Sequence, residues 1–438
     1  MRYIILYIAL NLITLIVSSY TSSFNEILLE ILKFKDEIVT NRRHLHSFPE
    51  LAFQEFITSS YIQKCLKSLN IKFAVGFAGT GIVAEIGSGL PCVGLRADID
   101  GLPIQESTDV SYKSQIVGQM HACGHDGHTA MLLGAAKYLK QNEHNIKGTV
   151  RLLFQPAEEG FGGAINMTAD GALHCNVFKA GDINDSTGIV ESIFGLHLNP
   201  FYPSGYILSK PGILLSACIS FHIVIKGIGG HASLPAISRD PITAAIAMIQ
   251  AINMISAKET QLPSLNKEVD VGVISITKIN SGTACNVIPE IAEFGGTIRS
   301  YSWDTLNKFE ERIKTITSSL AIAYRCEAEY SRTEPPFAPT INDEDLFNWA
   351  NNINGIKIRE VESTFGSEDF GYYSFNTKTL FLYLGQGDFN NTRFGLHNPM
   401  FNIDENVLPI GAALHSFFAM ERLKYLHSNN YQSKNEEL

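Results

Sequence analysis

The sequence is short of positive charge: 34 Lys and Arg stand against 44 Asp and Glu over 438 residues. A nucleic acid backbone finds no basic field to follow, and that class of partner is excluded. Cysteines are few and scattered, at Cys65, Cys92, Cys123, Cys175, Cys218, Cys285 and Cys326, with no Cys-x-x-Cys pair. That spacing excludes a dense disulfide framework and a zinc ribbon, and the odd number leaves at least one thiol free, with Cys123 the candidate. Internal repeats and low-complexity tracts are absent. The N-terminal apolar run, Tyr3 to Val17, falls short of the roughly 20 residues of a membrane-spanning helix. Preceded by Arg2 and followed by Ser18 and Ser19, it reads as a secretory signal over residues 1–19. Asn-x-Ser/Thr triplets at Asn166, Asn184 and Asn390 are compatible with that route. The last four residues, Asn435-Glu436-Glu437-Leu438, loosely resemble a Lys-Asp-Glu-Leu retrieval signal, which leaves lumenal retention open beside secretion.

What is present is ordinary globular composition, 45% hydrophobic and 18% charged, in a chain long enough for two compact units. Helical periodicity runs from Phe24 to Leu69. Short β-branched runs follow at Gly81–Ile86 and Cys92–Leu95, then a helix over Thr129–Lys140 and strands over Thr149–Phe154 and Ser192–Leu196. Strands alternating with helices predict an α/β fold: a mostly parallel sheet with helices on both faces, its site at the carboxyl ends of the strands. From about residue 213 the order changes to strand Ile219–Lys226, helix Pro241–Ser256, strands Val271–Ile279 and Ala292–Ser300, helix Thr305–Tyr324 and strand Glu327–Arg332. That β-α-β-β-α-β order predicts a ferredoxin-like α+β unit inserted over residues 214–330. Glu334-Pro335-Pro336 marks the return. The expected organisation is therefore a signal at 1–19, a first part of the main domain at 20–213, the insertion at 214–330, a second part at 331–425 and a tail at 426–438.

The densest chemistry lies in Met120-His121-Ala122-Cys123-Gly124-His125-Asp126-Gly127-His128, where a loop opens into a helix and four potential ligands fall within six positions. Thiolate and imidazole suit zinc and other borderline-soft divalent ions, and the two glycines let backbone approach a metal centre. Glu158 and Glu159 follow an apolar strand. Neighbouring side chains at a strand end point in different directions, so one carboxylate can ligate metal while the other faces a water molecule as general base. His197 and His397 each end an apolar run, and with Cys123, His125 and Glu159 they fit a dinuclear site.

These motifs resemble the metal-dependent amidohydrolases that include hippurate hydrolase, bacterial N-acyl-amino-acid amidohydrolases and plant auxin-conjugate hydrolases. The resemblance extends over Arg42-Arg43-His44-Leu45-His46 to Pro49-Glu50-Leu51, Leu95-Arg96-Ala97-Asp98-Ile99-Asp100-Gly101-Leu102-Pro103, the Cys123 cluster, the Glu158-Glu159 pair, Gly229-Gly230-His231-Ala232-Ser233, Asn286-Val287-Ile288-Pro289 and Gly366-Ser367-Glu368-Asp369-Phe370. It implies a zinc-peptidase-like fold whose inserted domain is a lid and a surface for homodimerisation. It implies two divalent metal ions per chain (zinc or manganese, with cobalt also admitted) held by Cys123, His125, Glu159, His197 and His397, with Cys123 bridging. Glu158 becomes general base and later proton donor. From the lid, His231 is implied to stabilise the oxyanion while Asn286 and Arg299 hold a substrate carboxylate. Asp98, Glu368 and Asp369 are implied to support the ligands or shape the pocket. Arg96 stands where related peptidases have a metal-binding His, and is not expected to be a ligand. One departure is the long polar stretch from His174 to Glu191, expected to reshape the rim of the acyl pocket.

The expected reaction is hydrolysis of the amide bond of a small N-acyl amino acid without a covalent intermediate; a Cys123 nucleophile is less consistent with a thiolate flanked by ligands. Two alternatives stay open: a dipeptidase or carboxypeptidase on the same scaffold, disfavoured by the Arg96-x-Asp98 plus Cys123 pattern, and a metal-binding homologue without catalysis, disfavoured by Glu158.

Overall fold

A computed structural model describes residues 23–182, 188–259, 271–387 and 394–436, the last seven of these by backbone alone. The expected signal, the triplets at Asn184 and Asn390, and the chain's last two residues lie outside them.

The helical stretch after residue 23 is three helices, α1 (Ser23–Leu32), α2 (Lys35–Ser47) and α3 (Phe56–Ser68). Pro49 explains the second break, since the residue before a proline is held out of helical geometry, and Phe48 has φ −132° and ψ 59°. Then come β1 (Lys72–Phe77), β2 (Gly81–Gly87), β3 (Cys92–Asp98), α4 (His125–Gln141), β4 (Thr149–Gln155), α5 (Gly163–Ala169), β5 (Ser192–Pro203), β6 (Ile207–Ser209) and β7 (Gly212–Leu215). The lid follows: β8 (Ala217–Lys226), β9 (Gly230–His231), α6 (Pro241–Lys258), β10 (Gly272–Ser281), β11 (Val287–Ile288), β12 (Ile291–Ser300), α7 (Trp303–Ala323) and β13 (Glu327–Arg332). The chain closes with β14 (Thr340–Asn342), α8 (Glu344–Asn351), β15 (Ile358–Glu360), β16 (Lys378–Gly387) and α9 (Leu408–Glu436).

Eight strands form the main sheet in the order β1-β2-β4-β3-β5-β16-β6-β15. Four of its seven pairings are parallel, and the central run β4-β3-β5-β16 is wholly so. β3 and β4 are buried along their whole length, as strands covered on both faces must be. Ile82, Leu95 and Leu152 meet α4 and α9 on one face, while Val83 and Leu153 meet Met167 of α5 and Phe370 on the other.

The lid sheet runs β10-β12-β8-β13, all antiparallel. Along β8, Ile219, Phe221, Ile223 and Ile225 point into a core shared with α6 and α7 while Ser220 and His222 point away, the period-2 pattern of a sheet covered on one side. Caps fix where the lid helices start: the Asp240 side chain accepts from Ile242 N ahead of Pro241, and Ser302 accepts from Thr305 N.

The described parts of the His174–Glu191 stretch correct one expectation. Cys175 forms a disulfide with Cys92 at the start of β3, Glu191 N–H donates to Cys92 O at 2.8 Å, and Arg151 donates to Val177 O at 2.9 Å. These contacts hold the stretch at the amino ends of the parallel strands, and none of its described residues lines the cavity at the carboxyl ends.

Candidate active site

The strand ends deliver the site. Cys123 and Gly124 precede α4, and Gly124 sits at φ +97°, a left-handed conformation that turns the chain so His125 opens the helix. Glu158 follows β4, with Ala157 at φ 55°; His397 lies at φ 59° and its N–H donates to Ala122 O at 2.8 Å. Left-handed backbone costs an L-residue roughly 1–2 kcal/mol. Both strained residues flank the same cavity, the pattern of a site held by its surroundings.

Within that cavity the five predicted ligands fall into two groups that share one sulfur: Cys123, His125 and His197, and Cys123, Glu159 and His397. Cys123 Sγ is 3.5 Å from His197 Nε2. Glu159 Oε1 is 3.2 Å from His397 Nε2, though without the alignment of a hydrogen bond. The fit to cations shows best at His125. Its Nδ1 faces Asp100 O at 2.9 Å, so Nε2 is the free ligand atom. Nε2 is buried without a hydrogen bond, 3.8 Å from Asp98 Oδ2 and 3.9 Å from both Glu158 Oε2 and Glu159 Oε1. An imidazole nitrogen ringed by carboxylate oxygens, all beyond contact, is a shape a divalent cation completes.

Glu158 is buried, and burial with the charges of Glu368, Glu159 and Asp369 pushes its carboxyl well above the usual carboxylate range. Burial likewise drives the Cys123 thiol up, helped by Glu159 and Glu158. Burial works to lower His125, yet the charges of Asp98 and Asp100 raise it to about 10. The metal-free site therefore holds protons on groups that must lose them to bind metal. Expected consequence: apparent metal affinity rises about tenfold per pH unit for each proton displaced, and by more than one decade per unit between pH 6 and 8. Chelator competition at several pH values measures the slope, and a flat profile overturns it.

Arg96 is fully buried and no ligand. Its guanidinium donates to Gln155 Oε1 (2.8 Å), Asp98 Oδ2 (2.7 Å), Glu368 Oε1 (2.9 Å) and Asp369 Oδ1 (3.0 Å), placing Asp98, Glu368 and Asp369 around one fixed cation. Arg299 also lines the cavity, with Nη1 on Phe365 O at 2.6 Å and Ser367 Oγ at 3.1 Å. His231 and Asn286 do not. Both are exposed on the lid, where β9 pairs with β11, and neither is among the residues lining the cavity.

One residue of the site, Asp100, has no role in the sequence analysis, and another, His128, has a different one. Asp100 orients His125 and also accepts from Glu159 N at 3.0 Å; its signal was Asp98-x-Asp100, two residues apart on extended chain and hence on one face. His128 had been counted among the potential ligands, but both its nitrogens are used, Nδ1 on Asp98 Oδ1 at 2.6 Å and Nε2 accepting from Leu198 N at 2.9 Å. It ties α4 to β3 and β5 beside His197. His121 is buried with neither nitrogen hydrogen-bonded, held neutral as burial lowers it to about 4, and belongs to neither ligand group.

The cavity, about 630 Å³, has Phe201, Leu215, Phe337, Val361, Tyr383 and Leu396 beside the ligands, room for a small organic substrate next to paired cations. A thiol, three imidazoles and paired carboxylates at the carboxyl ends of a parallel sheet define a metal-dependent hydrolase. The chain belongs to the family described as Peptidase family M20/M25/M40, whose sequence model matches residues 94–421. It is 38% identical to the IAA-amino acid hydrolase ILR1-like 2 of Arabidopsis thaliana over 92% of this chain and 90% of that protein. It is 36% identical to N-acetyl-L-cysteine deacetylase of Bacillus subtilis (91% and 90%) and 34% identical to thermostable carboxypeptidase 1 of Saccharolobus solfataricus (90% and 97%). A Bacillus subtilis crystal structure, described as a dinuclear metal-binding peptidase of the M20 family, superposes with a TM-score of 0.71 at 33% identity, covering 90% of this chain and 99% of that one.

Proposed function

We propose that this chain hydrolyses the amide bond of N-acyl amino acids, releasing a carboxylic acid and a free amino acid, with two divalent ions at the Cys123 site. The observation that carries the reading is the pair of ligand groups sharing Cys123 with the non-shared carboxylate of Glu158 beside them. Cys123, His125 and His197 would hold one ion, and Cys123, Glu159 and His397 the other; bound there, such ions polarise a carbonyl and acidify water. Glu158 accepts a proton from the water that attacks the amide carbon, and delivers it to the nitrogen as the C–N bond breaks. Asp100 and His128 keep His125 and the middle of β5 in register, and Arg299 offers its uncommitted N–H groups to the substrate carboxylate. The names of the plant and Bacillus relatives support an acylated substrate.

Oxyanion stabilisation by His231 enters only when the lid moves or a second copy of the chain brings it to the cavity. The exposed apolar residues around it, Ile228, Leu234, Ile237 and Val287, support a homodimer through the lid. The carboxypeptidase relative supports a second reading, cleavage of unmodified peptides. A panel separates them: zinc- or manganese-loaded protein is offered acetyl-, benzoyl- and indoleacetyl-amino acids beside free dipeptides. Chelator-sensitive release from the acylated set supports the amidohydrolase, preference for dipeptides supports the peptidase, and no turnover with two ions bound supports a non-catalytic homologue.

Passage through the secretory pathway is likewise our reading. The buried Cys92–Cys175 disulfide supports it, since such bonds persist in oxidising compartments. Its test is alkylation of the denatured, unreduced protein from its native source, and labelling of Cys175 would count against the proposal.

A further inference from the structure

The lid side of the cavity carries two opposite charges that do not pair with one another. Arg299 on β12 stands directly across from Cys218 on β8. On the other side of β8, Thr333 N–H donates to Ser220 O at 3.1 Å, and Phe337 exchanges backbone hydrogen bonds with Cys218 at 2.8 and 3.1 Å. Three residues, Glu334-Pro335-Pro336, therefore bulge out opposite the single residue Ile219. A bulge re-aims its side chains, and two prolines fix the backbone that carries Glu334. The Glu334 carboxylate comes within 3.3–3.5 Å of where a Cβ on Gly160 would stand, next to the Glu158-Glu159 turn. Gly160, at φ +92°, leaves that space open.

Arg299 and Glu334 thus flank Cys218 from neighbouring strands. The Cys218 thiol registers both: burial raises it, the Arg299 charge lowers it and the Glu334 charge raises it. Two strand spacings set the two backbones roughly 10 Å apart. Among the described residues the half-buried Glu334 carboxylate has no hydrogen bond or ion pair, and Arg299 keeps N–H groups free beyond those on Phe365 and Ser367. A cation and a carboxylate left unpaired on one wall complement a ligand bearing one anion and one cation a side chain's length apart.

We propose that Glu334 is a specificity-determining residue that selects conjugates of basic amino acids, taking the side-chain ammonium or guanidinium while Arg299 takes the α-carboxylate. The proposal rests on the N-acyl amino acid reading. A neutral side chain over Glu334 would strip its water and return no partner, whereas a cation replaces that water with an ion pair.

The experiment compares kcat/KM for benzoyl-lysine, benzoyl-norleucine and benzoyl-glutamate, in the metal-loaded wild type and in Glu334→Gln, Glu334→Lys and Glu362→Gln. The wild type is expected to favour lysine over norleucine about five- to tenfold at low salt, a margin that shrinks as salt screens it. Glu334→Gln brings the ratio to about one, Glu334→Lys shifts preference to glutamate, and Glu362→Gln, altering the exposed carboxylate also lining the cavity, keeps the ratio. Equal wild-type values for lysine and norleucine, or a lysine preference that survives Glu334→Gln or disappears in Glu362→Gln, overturn the assignment while cleavage of norleucine keeps the amidohydrolase reading intact. Failure to cleave any of the three while free dipeptides turn over removes that reading and this one together.

Discussion

Glu158→Gln is expected to lower kcat by about 10³–10⁴, with two metal ions still bound and KM little changed. The amide is nearly isosteric and stays within reach of water, but it accepts no proton. A loss of that size corresponds to about 4–5.5 kcal/mol of transition-state stabilisation. On the proposed reading Glu158 suits the role because burial and neighbouring carboxyls make its proton hard to lose, so it would store one between water and the leaving nitrogen, and metal ions held at the Cys123 site would draw it back to the ionised form a base needs. The companion variant Glu159→Gln separates the roles of two consecutive residues. It sits in a group with Cys123 and His397, so its principal effect is lost metal, read by elemental analysis. A Glu158→Gln protein retaining activity within tenfold of the wild type would remove Glu158 from the chemistry. Loss of metal in that variant would make it a ligand.

That Cys123, His125, Glu159, His197 and His397 come together was legible in the sequence because they cluster or end apolar runs. Cys123 and His125 sit on one loop-to-helix junction and Glu159 just past the end of β4, while His197 lies within β5, which runs on to Pro203, and His397 in the connection between β16 and α9. The inserted unit was legible because its β-α-β-β-α-β order shows in the chain, with near-regular alternation along β8 and an amphipathic α7. Non-local choices were not. β1 and β2 pair as a local hairpin, but that the hairpin joins the main sheet antiparallel depends on the pairing of β2 with β4, far apart in sequence. His128 shares a helical face with His125, and only the positions of Asp98 and Leu198 show that its nitrogens are spent. His231 looked like a cavity residue, yet its place on the lid leaves it outside the cavity of a single chain. Glu334 read as punctuation before two prolines, since nothing local shows that β8 turns it toward Gly160. The polar stretch before His197 misled for a related reason: chain order placed it near a ligand, but a parallel strand is entered from the end away from the site.

Arg96→Met is expected to destabilise the metal-free protein by about 3–5 kcal/mol, the range for removing one partner from a buried charge network. Among the described residues the guanidinium is the only cation bonded to Asp98, Glu368 and Asp369 together, and it also holds Gln155, which Tyr373 fixes at 3.0 Å. Methionine fills much of the volume, so the loss is chiefly electrostatic and depends on pH. Burial, opposed by Arg96, leaves Glu368 raised and Asp369 well above the usual carboxylate range. Without Arg96 both rise further. A group raised in the folded state contributes stability that is present at low pH and lost as pH climbs through its folded value. The penalty of Arg96→Met therefore grows between pH 5 and pH 8 as carboxyls that prefer to stay protonated are forced to ionise. Arg96→Lys keeps the charge but cannot span four acceptors, and falls between wild type and Arg96→Met. Urea unfolding of chelated protein at the two pH values reads the difference without a contribution from metal binding. A penalty below about 1 kcal/mol, or one equal at both pH values, would show that the carboxyls share protons among themselves and that Arg96 is not what holds them beside the metal ligands.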